Sequence, residues 1–150
     1  MAEATTSPSL FLKALKKSPW VFHAGTSGCN NCDIEIADCL TPRFDVERFG
    51  VKLVGSPRHA DVMLNTGPVS RACREPLQQA WLEMPRPRAA VMVGVCASSM
   101  GAYKDAYSVT GPPDKVLREV DPEAKFIYVP GCPPKPETIV MGIVKLLGAL

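Results

Sequence analysis

In this 150-residue chain, the cysteines are the residues whose chemical type and spacing best suit a reactive or metal-binding site. Cys29 and Cys32 form a pair with a two-residue spacer in GTSGCNNCDIE, whereas Cys96 and Cys132 stand singly in VGVCASS and PGCPPKPE. A two-residue spacer lets both thiolates of a pair face one metal centre. Four soft thiolates with no histidine among them suit either an iron-sulfur cluster or a tetrahedral zinc ion.

The spacing of these cysteines favours the cluster over zinc. Compact all-cysteine zinc sites usually use two short knuckles, and here a single pair is close in sequence. A 4Fe-4S cubane is large enough to be reached from three separate loops, and backbone N–H groups and helix N-termini favour its negative charge. Glycines just before the cysteines would let the backbone approach such a group; they are Gly28, Gly94 and Gly131. A zinc ion and a thioredoxin-like redox pair remain as alternatives.

The other cysteines and the histidines are interpreted as structural residues. Cys39 and Cys73 both fall on predicted helices with apolar neighbours, and are expected in the core as small hydrophobes. His23 lies in a predicted strand and His59 in a short loop, and neither is assigned a role in a site. Glu35, three positions beyond the cysteine pair, is either a proton carrier beside the cluster or an ordinary acidic residue in the first turn of a helix.

Alternating apolar runs and breakers predict an α/β fold, with helices packed on a mostly parallel sheet. The predicted strands are 20–24, 51–54, 61–66, 90–95 and 126–129, and the predicted helices are 31–40, 70–83, 112–119 and 136–148. In a parallel sheet the loops after the strands gather along one edge, where cofactors bind. Cysteines that are far apart in sequence but follow strands can therefore converge.

One connection leaves the topology of the sheet open. The link 55–60, between two predicted strands, is too short for an ordinary helical crossover between parallel strands. The segment VKLV is therefore expected to be either an antiparallel edge strand or no strand.

Composition and charge narrow the function classes. With 150 residues and 46% hydrophobic content, the chain matches one ordinary globular domain. A net charge of +2 gives no broad basic field, so no nucleic-acid partner is expected. Residues 1–18 are predicted to form an amphipathic segment, and residues 19–150 the iron-sulfur-binding domain.

Targeting and membrane features are weak in this sequence. No secretory signal is recognisable at the amino terminus, so a cytosolic setting is expected. The longest apolar run, TIVMGIVKLLGAL, is interrupted by Lys145 and is too short to cross about 30 Å of hydrocarbon, so the chain is not expected to span a membrane. Flavin or nucleotide binding has no motif support, because no Gly-rich fingerprint follows a strand.

Several motifs, taken in order, resemble a known family across nearly the whole chain. They are GCNNCDIE, TPRFDVERFG, GSPRHADVMLNTGPV, VGVCASSMGAY and YVPGCPPKPE. This arrangement resembles the small subunit of membrane-bound, energy-converting nickel-iron hydrogenases, which is related to a cluster-bearing subunit of respiratory complex I. The resemblance implies one 4Fe-4S cluster with Cys29, Cys32, Cys96 and Cys132 as ligands. We therefore expect one flavodoxin-like α/β domain with the cluster at the carboxyl ends of its strands.

The resemblance also implies an electron-transfer subunit that catalyses no reaction by itself. It implies a large subunit with a nickel-iron centre, a ferredoxin-like iron-sulfur subunit and integral membrane ion-translocating subunits, at the cytoplasmic face of the cell membrane. Complex I relatives typically have adjacent cysteines at the first ligand position, whereas this chain has the spaced pair of hydrogenases. The alternatives are a complex I-like quinone or sulfur reductase and a zinc-braced assembly subunit without redox activity.

The segment PRFDVERFG resembles a loop near the cluster and the quinone pocket of the complex I relatives. By that resemblance Arg43, Asp45 and Arg48 would help to couple redox change to the membrane arm. The alternative is an ordinary surface pair between Asp45 and Arg48, which are three positions apart.

Overall fold

The structure, a computed structural model, describes residue 13 and residues 15–149. Seven strands occur in the described part of the chain: β1 (Trp20–Gly25), β2 (Lys52–Val54), β3 (Val62–Thr66), β4 (Val69–Ser70), β5 (Ala89–Val93), β6 (Val109–Gly111) and β7 (Lys125–Val129). The main sheet has the order β2-β1-β3-β5-β7, and all of its pairs are parallel. A small antiparallel sheet joins β4 to β6.

Helices cover both faces of the main sheet. Within residues 18–149 the α-helices are, in chain order, α1 (Asn31–Asp38), α2 (Arg71–Glu83), α3 (Gly94–Ser99), α4 (Pro113–Arg118) and α5 (Pro136–Ala149). Helices α1 and α5 pack on one face of the sheet, and α2 and α4 pack on the other. Proline begins α4 and α5, as predicted, because the first turn of a helix does not use its N–H groups.

The core alternates along the central strands. In β3, Val62 and Leu64 point to the face of α1 and α5, while Met63 points to the face of α2. In β5, Val91 points to the face of α1 and α5, and Met92 points to the face of α2. All residues of β3 and β5 are buried. Strand β5 accordingly reads as a continuous apolar run, whereas β3 begins with three apolar residues and ends in the buried polar residues Asn65 and Thr66.

The prediction for the segment VKLV is wrong. Strand β2 pairs in parallel with β1, from Trp20 opposite Lys52 to Phe22 opposite Val54. Strand β2 is three residues long, which is about 10 Å at about 3.3 Å per residue, and it lies beside the first half of β1. The chain therefore has only that distance to return before β3 begins. A 3-10 turn at Pro57–His59 makes this return, so no helical crossover is needed.

Two further features differ from the sequence prediction. The predicted strand 90–95 ends at Val93, and a short helix begins at Gly94, which has a φ of +88°. The small β4–β6 sheet was not predicted, because its strands are only two and three residues long.

The amino-terminal prediction can be followed only in part. Most of the predicted amphipathic segment 1–18 lies outside the described residues. Within it, Leu15 is buried in the core against the face of α1 and α5, and Lys16 and Lys17 are exposed. None of the described helices is both long and apolar enough to cross a membrane.

Candidate metal centre

All four predicted cysteine ligands line one cavity at the carboxyl edge of the main sheet. Because β1, β3, β5 and β7 are neighbours, the segments that follow them lie side by side. The cavity has about 330 Å³ of empty space, part of it open to solvent. Its lining includes Cys29, Cys32, Cys96 and Cys132, together with residues that follow β3. The structure therefore brings together the four cysteines that the sequence predicted to meet.

The first two cysteines lie at the start of α1. The loop after β1 ends at Asn30, which adopts the left-handed conformation with a φ of 67°. Helix α1 begins at the next residue, so Cys32 lies in its first turn, where the helix dipole favours negative charge. Cys29 is exposed and Cys32 is partly buried.

The third cysteine lies in α3, which starts unusually close to α1. A β-carbon on Gly94 would lie 2.6 Å from the Cys32 sulfur, so only glycine fits at this position. Cys96 follows in the first turn of α3 and is partly buried. A β-carbon on Gly101, after the helix, would lie 3.4 Å from the Cys96 sulfur.

The fourth cysteine lies in the loop between β7 and α5. The carbonyl oxygen of Gly131 accepts a hydrogen bond of 2.9 Å from the Val95 backbone N–H, which ties this loop to the start of α3. Gly131 has a φ of +151°, and a β-carbon there would lie 2.5 Å from the Pro134 Cα. Cys132 is exposed at the surface. A backbone hydrogen bond thus holds two cysteine segments together.

A close approach between two glycines was missed by the sequence analysis. A β-carbon on Gly28 would lie 3.3 Å from the Cα of Gly67, which follows β3 and has a φ of +75°. The Thr26 hydroxyl fixes the same two loops, because it donates to the carbonyl oxygens of Thr66 at 2.8 Å and Pro68 at 2.7 Å. The TGP sequence at the end of β3 is the pattern that could have indicated this contact.

The environment of the cysteines disfavours free thiolates. Burial, followed by the charges of Cys96 and Cys29, raises the pKa of the Cys32 thiol to about 11. Burial and the charges of Cys132 and Cys29 also raise the pKa of the Cys96 thiol. Neighbouring thiolates repel one another in a partly buried site, and bound metal cations would offset that repulsion.

The donor set fits an iron-sulfur cluster. Four thiols come from three separate segments that follow β1, β5 and β7, and the glycines beside them let the backbone pass close to the cavity. Within residues 15–149, no three His, Cys, Asp or Glu side chains lie close enough together to hold a single metal ion. A cubane takes one thiolate at each iron, so its ligands are more widely spaced than those of one zinc ion.

A hydrogen-bonded group of three side chains adjoins the cavity and was not predicted. The His23 Nε2 lies 2.7 Å from Oδ1 of Asp33, and the Thr66 hydroxyl donates to the same oxygen. The His23 Nε2 also lies 3.3 Å from the Thr66 hydroxyl oxygen. Asp33 and Thr66 both line the cavity. These residues come from β1, α1 and β3, so only the register of the folded sheet brings them together.

Glu35 and Arg43 line a cleft that is separate from the cysteine cavity. Asp38, Lys135 and Glu137 also contribute charged groups to this cleft. Glu35 is partly buried there and is absent from the lining of the cysteine cavity. Its predicted part in proton transfer stays a prediction.

The Asp45 and Arg48 side chains form an exposed pair. Their charged atoms, Arg48 Nε and Asp45 Oδ2, are 3.9 Å apart, and both side chains are largely accessible to solvent. The Arg48 guanidinium also lies over the Phe49 ring, 4.8 Å from its centroid. The coupling role of this segment stays a prediction.

Of the two remaining cysteines, both expected in the core, Cys39 is buried and Cys73 is only partly buried. Cys39 is buried in the core between α1 and α5, and its thiol donates to the carbonyl oxygens of Glu35 and Pro136. Cys73 is partly buried against the other face of the sheet, and its thiol donates to the Thr26 carbonyl oxygen at 3.1 Å. Neither residue lines the cavity that the other four cysteines share.

Sequence comparisons place this chain among subunits of redox complexes. Residues 29–146 match the family described as NADH ubiquinone oxidoreductase, 20 Kd subunit. The chain is 44% identical to the probable membrane-bound hydrogenase subunit mbhJ of Pyrococcus furiosus over 138 residues, which cover 92% of this chain and 79% of that protein. It is 45% identical to formate hydrogenlyase subunit 7 of Escherichia coli over 139 residues, which cover 93% of this chain but only 52% of that longer protein.

Comparisons with solved structures agree on the fold. A chain of the membrane-bound sulfane sulfur reductase (MBS), an archaeal respiratory membrane complex, matches with a TM-score of 0.74 and 32% identity, over 94% of this chain and 75% of that chain. A chain of the Dm. baculatum NiFeSe hydrogenase matches with a TM-score of 0.66 and 17% identity, over 85% of this chain and 61% of that chain. The predicted flavodoxin-like α/β fold is confirmed.

Proposed function

Because this chain belongs to the family of the NADH ubiquinone oxidoreductase, 20 Kd subunit, we propose that it is the electron-transfer subunit of a membrane-bound, energy-converting nickel-iron hydrogenase. In this proposal the chain holds one 4Fe-4S cluster through Cys29, Cys32, Cys96 and Cys132. It relays electrons to or from a catalytic large subunit and catalyses no reaction alone.

The observation that carries the proposal is the convergence of four thiols on one cavity. They reach it from three separate segments that follow strands at the carboxyl edge of a parallel sheet, the place where such folds bind cofactors. The similarity to a probable membrane-bound hydrogenase subunit and to a formate hydrogenlyase subunit supports a hydrogenase rather than another redox complex.

The cluster would supply reversible one-electron chemistry, and the residues of this chain would hold it and set its environment. Gly28 and Gly131 would bring backbone close to it, because both line the cavity beside a cysteine. The first turns of α1 and α3 would place helix N-termini near its negative charge. Glu35, in the neighbouring cleft, would carry protons at a distance from the cysteines.

The proposal requires partners on both sides of the chain, since one cluster cannot form a relay. We propose a nickel-iron large subunit, a ferredoxin-like iron-sulfur subunit and integral membrane ion-translocating subunits, with this chain peripheral at the cytoplasmic face of the membrane. Cys29 and Cys132 are exposed, which would leave the cluster close to the surface that a partner covers. Membrane-bound complexes among the relatives support this assembly.

A second candidate is the corresponding subunit of a quinone- or sulfur-reducing complex. The sulfane sulfur reductase chain, which matches with a TM-score of 0.74, favours it. The two candidates differ in the large subunit, which in a hydrogenase contains cysteine ligands for a nickel-iron centre. Co-purification of the large subunit, followed by nickel analysis, separates them: nickel is expected, and a large subunit without nickel or its cysteine ligands would favour the second candidate.

Anaerobic purification tests the cluster itself. We expect about four iron and four sulfide per chain and a paramagnetic signal in the reduced state. One zinc per chain without sulfide would contradict the proposal and support the zinc-braced assembly subunit.

A further inference from the structure

The proposed function gives no role to the Asp33 carboxylate, which faces the cysteine cavity and is held by two hydrogen-bond donors. Asp33 follows Cys32 in the first turn of α1, and its Oδ1 contacts both the His23 ring and the Thr66 hydroxyl. A carboxylate only accepts hydrogen bonds, so the His23 Nε2 and the Thr66 hydroxyl are the donors. The donors lie on β1 and β3, two neighbouring strands of the sheet.

We propose that Asp33 is a positioning residue that sets the reduction potential of the metal centre through its fixed negative charge, and that His23 and Thr66 moderate that charge. The inference rests on the proposed function, because it concerns a cluster held by the four cysteines. It goes beyond that function by assigning roles to three residues that are not expected to be ligands.

The position of the carboxylate supports an electrostatic role. Asp33 and Thr66 line the same cavity as the cysteines, and the side chain of Asp33 is only 23% exposed, which limits screening by water. The charge of Asp33 is one of the causes that raise the pKa of the Cys32 thiol, so its field reaches that sulfur. A negative charge near the cluster disfavours addition of an electron and lowers the potential.

An ordinary helix-capping role does not account for the same contacts. An acidic residue in the first turn of a helix needs only the helix dipole and solvent. The Asp33 side chain instead turns back to the sheet, where His23 and Thr66 fix one of its oxygens. Two donors reduce the effective charge of the carboxylate, so removing either donor and removing the carboxylate should move the potential in opposite directions.

The experiment is redox titration of the anaerobically purified chain with its cluster, monitored by the reduced-state paramagnetic signal. Asp33→Asn keeps the shape of the side chain and one acceptor oxygen but removes the charge. We expect it to raise the midpoint potential enough to change the ratio of reduced to oxidised cluster at least tenfold, about 59 mV for one electron. Thr66→Val removes the hydroxyl donor and keeps the branched shape, and we expect the potential to fall.

The double variant distinguishes a pathway through Asp33 from local damage. If Thr66 acts through the carboxylate, the double variant Asp33→Asn with Thr66→Val should have the same midpoint potential as Asp33→Asn alone. Asp38→Asn is the matched control, since it removes the same charge from the last residue of the same helix, which does not line the cysteine cavity. We expect Asp38→Asn to shift the potential much less than Asp33→Asn does.

The possible failures are distinguishable. An Asp33→Asn protein that keeps its iron and sulfide but titrates at the wild-type potential overturns the inference and leaves the proposed function intact. If Asp33→Asn does not retain the cluster, Thr66→Val decides, and an unchanged or higher potential overturns the inference. A wild-type chain without iron and sulfide overturns the proposed function and the inference with it.

Discussion

The sulfur of Cys32 occupies the space that a β-carbon on Gly94 would need, since the two positions are only 2.6 Å apart. The first turn of α1 and the start of α3 therefore pass within contact distance. Gly94 also has a φ of +88°, a conformation that residues with side chains rarely adopt. Both constraints act at the point where two cysteine segments meet.

Gly94→Ala should damage the metal centre and the fold together. We expect a loss of about 2 kcal/mol or more in the free energy of unfolding, because strain from the positive φ alone costs about 1–2 kcal/mol and displacement of the Cys32 sulfur adds to it. Iron content after anaerobic purification should fall well below that of the wild type. Urea unfolding of the cluster-free chain and iron analysis measure the two effects.

Gly55→Ala is the control for this substitution. Apart from the adjoining residues of the chain, no atom of the part that the structure describes lies within 4 Å of a β-carbon at Gly55, so the same chemical change meets open space there. We expect a change of at most about 0.5 kcal/mol and normal iron content. Equal behaviour of the two variants would show that the Gly94 contact has no importance for the site.

The sequence predicted the strands that carry the site because their patterns are local. Strands β1, β3, β5 and β7 are short segments rich in apolar residues, and Cys29, Cys96 and Cys132 follow three of them within a few residues. Convergence of these cysteines then follows from parallel pairing alone. The buried position of Cys39 followed from the apolar face of its helix.

Other features depend on the register of the sheet, which a single sequence does not encode locally. The contact between His23 and Thr66 joins residues 43 positions apart. The parallel pairing of β2 depends on how short that strand is, which apolar periodicity does not measure. The start of α3 was hidden because the apolar run VMVGV continues past the end of β5 at Val93.

Cys132→Ser should destroy or degrade the cluster, whereas Cys39→Ala should retain it. The Cys132 thiol lines the shared cavity, and serine is a poor substitute for a soft thiolate ligand. Cys39 lies in the core away from that cavity, and its loss should cost about 1 kcal/mol of stability. Iron and sulfide analysis of both purified variants is the measurement, and equal cluster loss in both would contradict the assignment of ligands.

Cys39 should also make stability depend on alkaline pH. Burial, followed by the charges of Glu35 and Asp38, raises the pKa of its thiol to about 11. The folded state therefore keeps a proton that the unfolded chain releases above its ordinary pKa of 9.0. The resulting stabilisation is fully present below the lower pKa and is lost as the pH rises towards the higher one.

The measurement compares urea unfolding of the cluster-free wild type and Cys39→Ala at about pH 8 and about pH 10.5. Other groups titrate in both proteins, so the difference between them isolates the thiol. We expect the stability of Cys39→Ala relative to the wild type to rise by about 1–2 kcal/mol at the higher pH, so that the cost of about 1 kcal/mol disappears or reverses. A cost that is independent of pH would show that the thiol titrates alike in the folded and unfolded chains.

A buried ion pair supports the face of the sheet opposite α1. Arg88 donates from Nε to Asp121 Oδ2 at 3.0 Å, and the indole N–H of Trp81 donates to the same oxygen at 3.1 Å. The Arg88 guanidinium also donates to the Trp81 carbonyl oxygen at 2.9 Å. Burial alone would raise the pKa of Asp121, but these hydrogen bonds and the charge of Arg88 outweigh it and lower that pKa.

Asp121→Ala should therefore be far more costly than loss of a surface acid. It would leave the Arg88 charge buried without its carboxylate, for which we expect a loss of about 3–5 kcal/mol in the free energy of unfolding. Glu119→Ala is the matched control, because Glu119 pairs with Arg74 at 2.6 Å but both side chains are 45% exposed, and exposed pairs of this kind contribute little to stability. Urea unfolding of both variants decides, and similar losses would show that solvent reaches the Arg88 pair as readily as the surface pair.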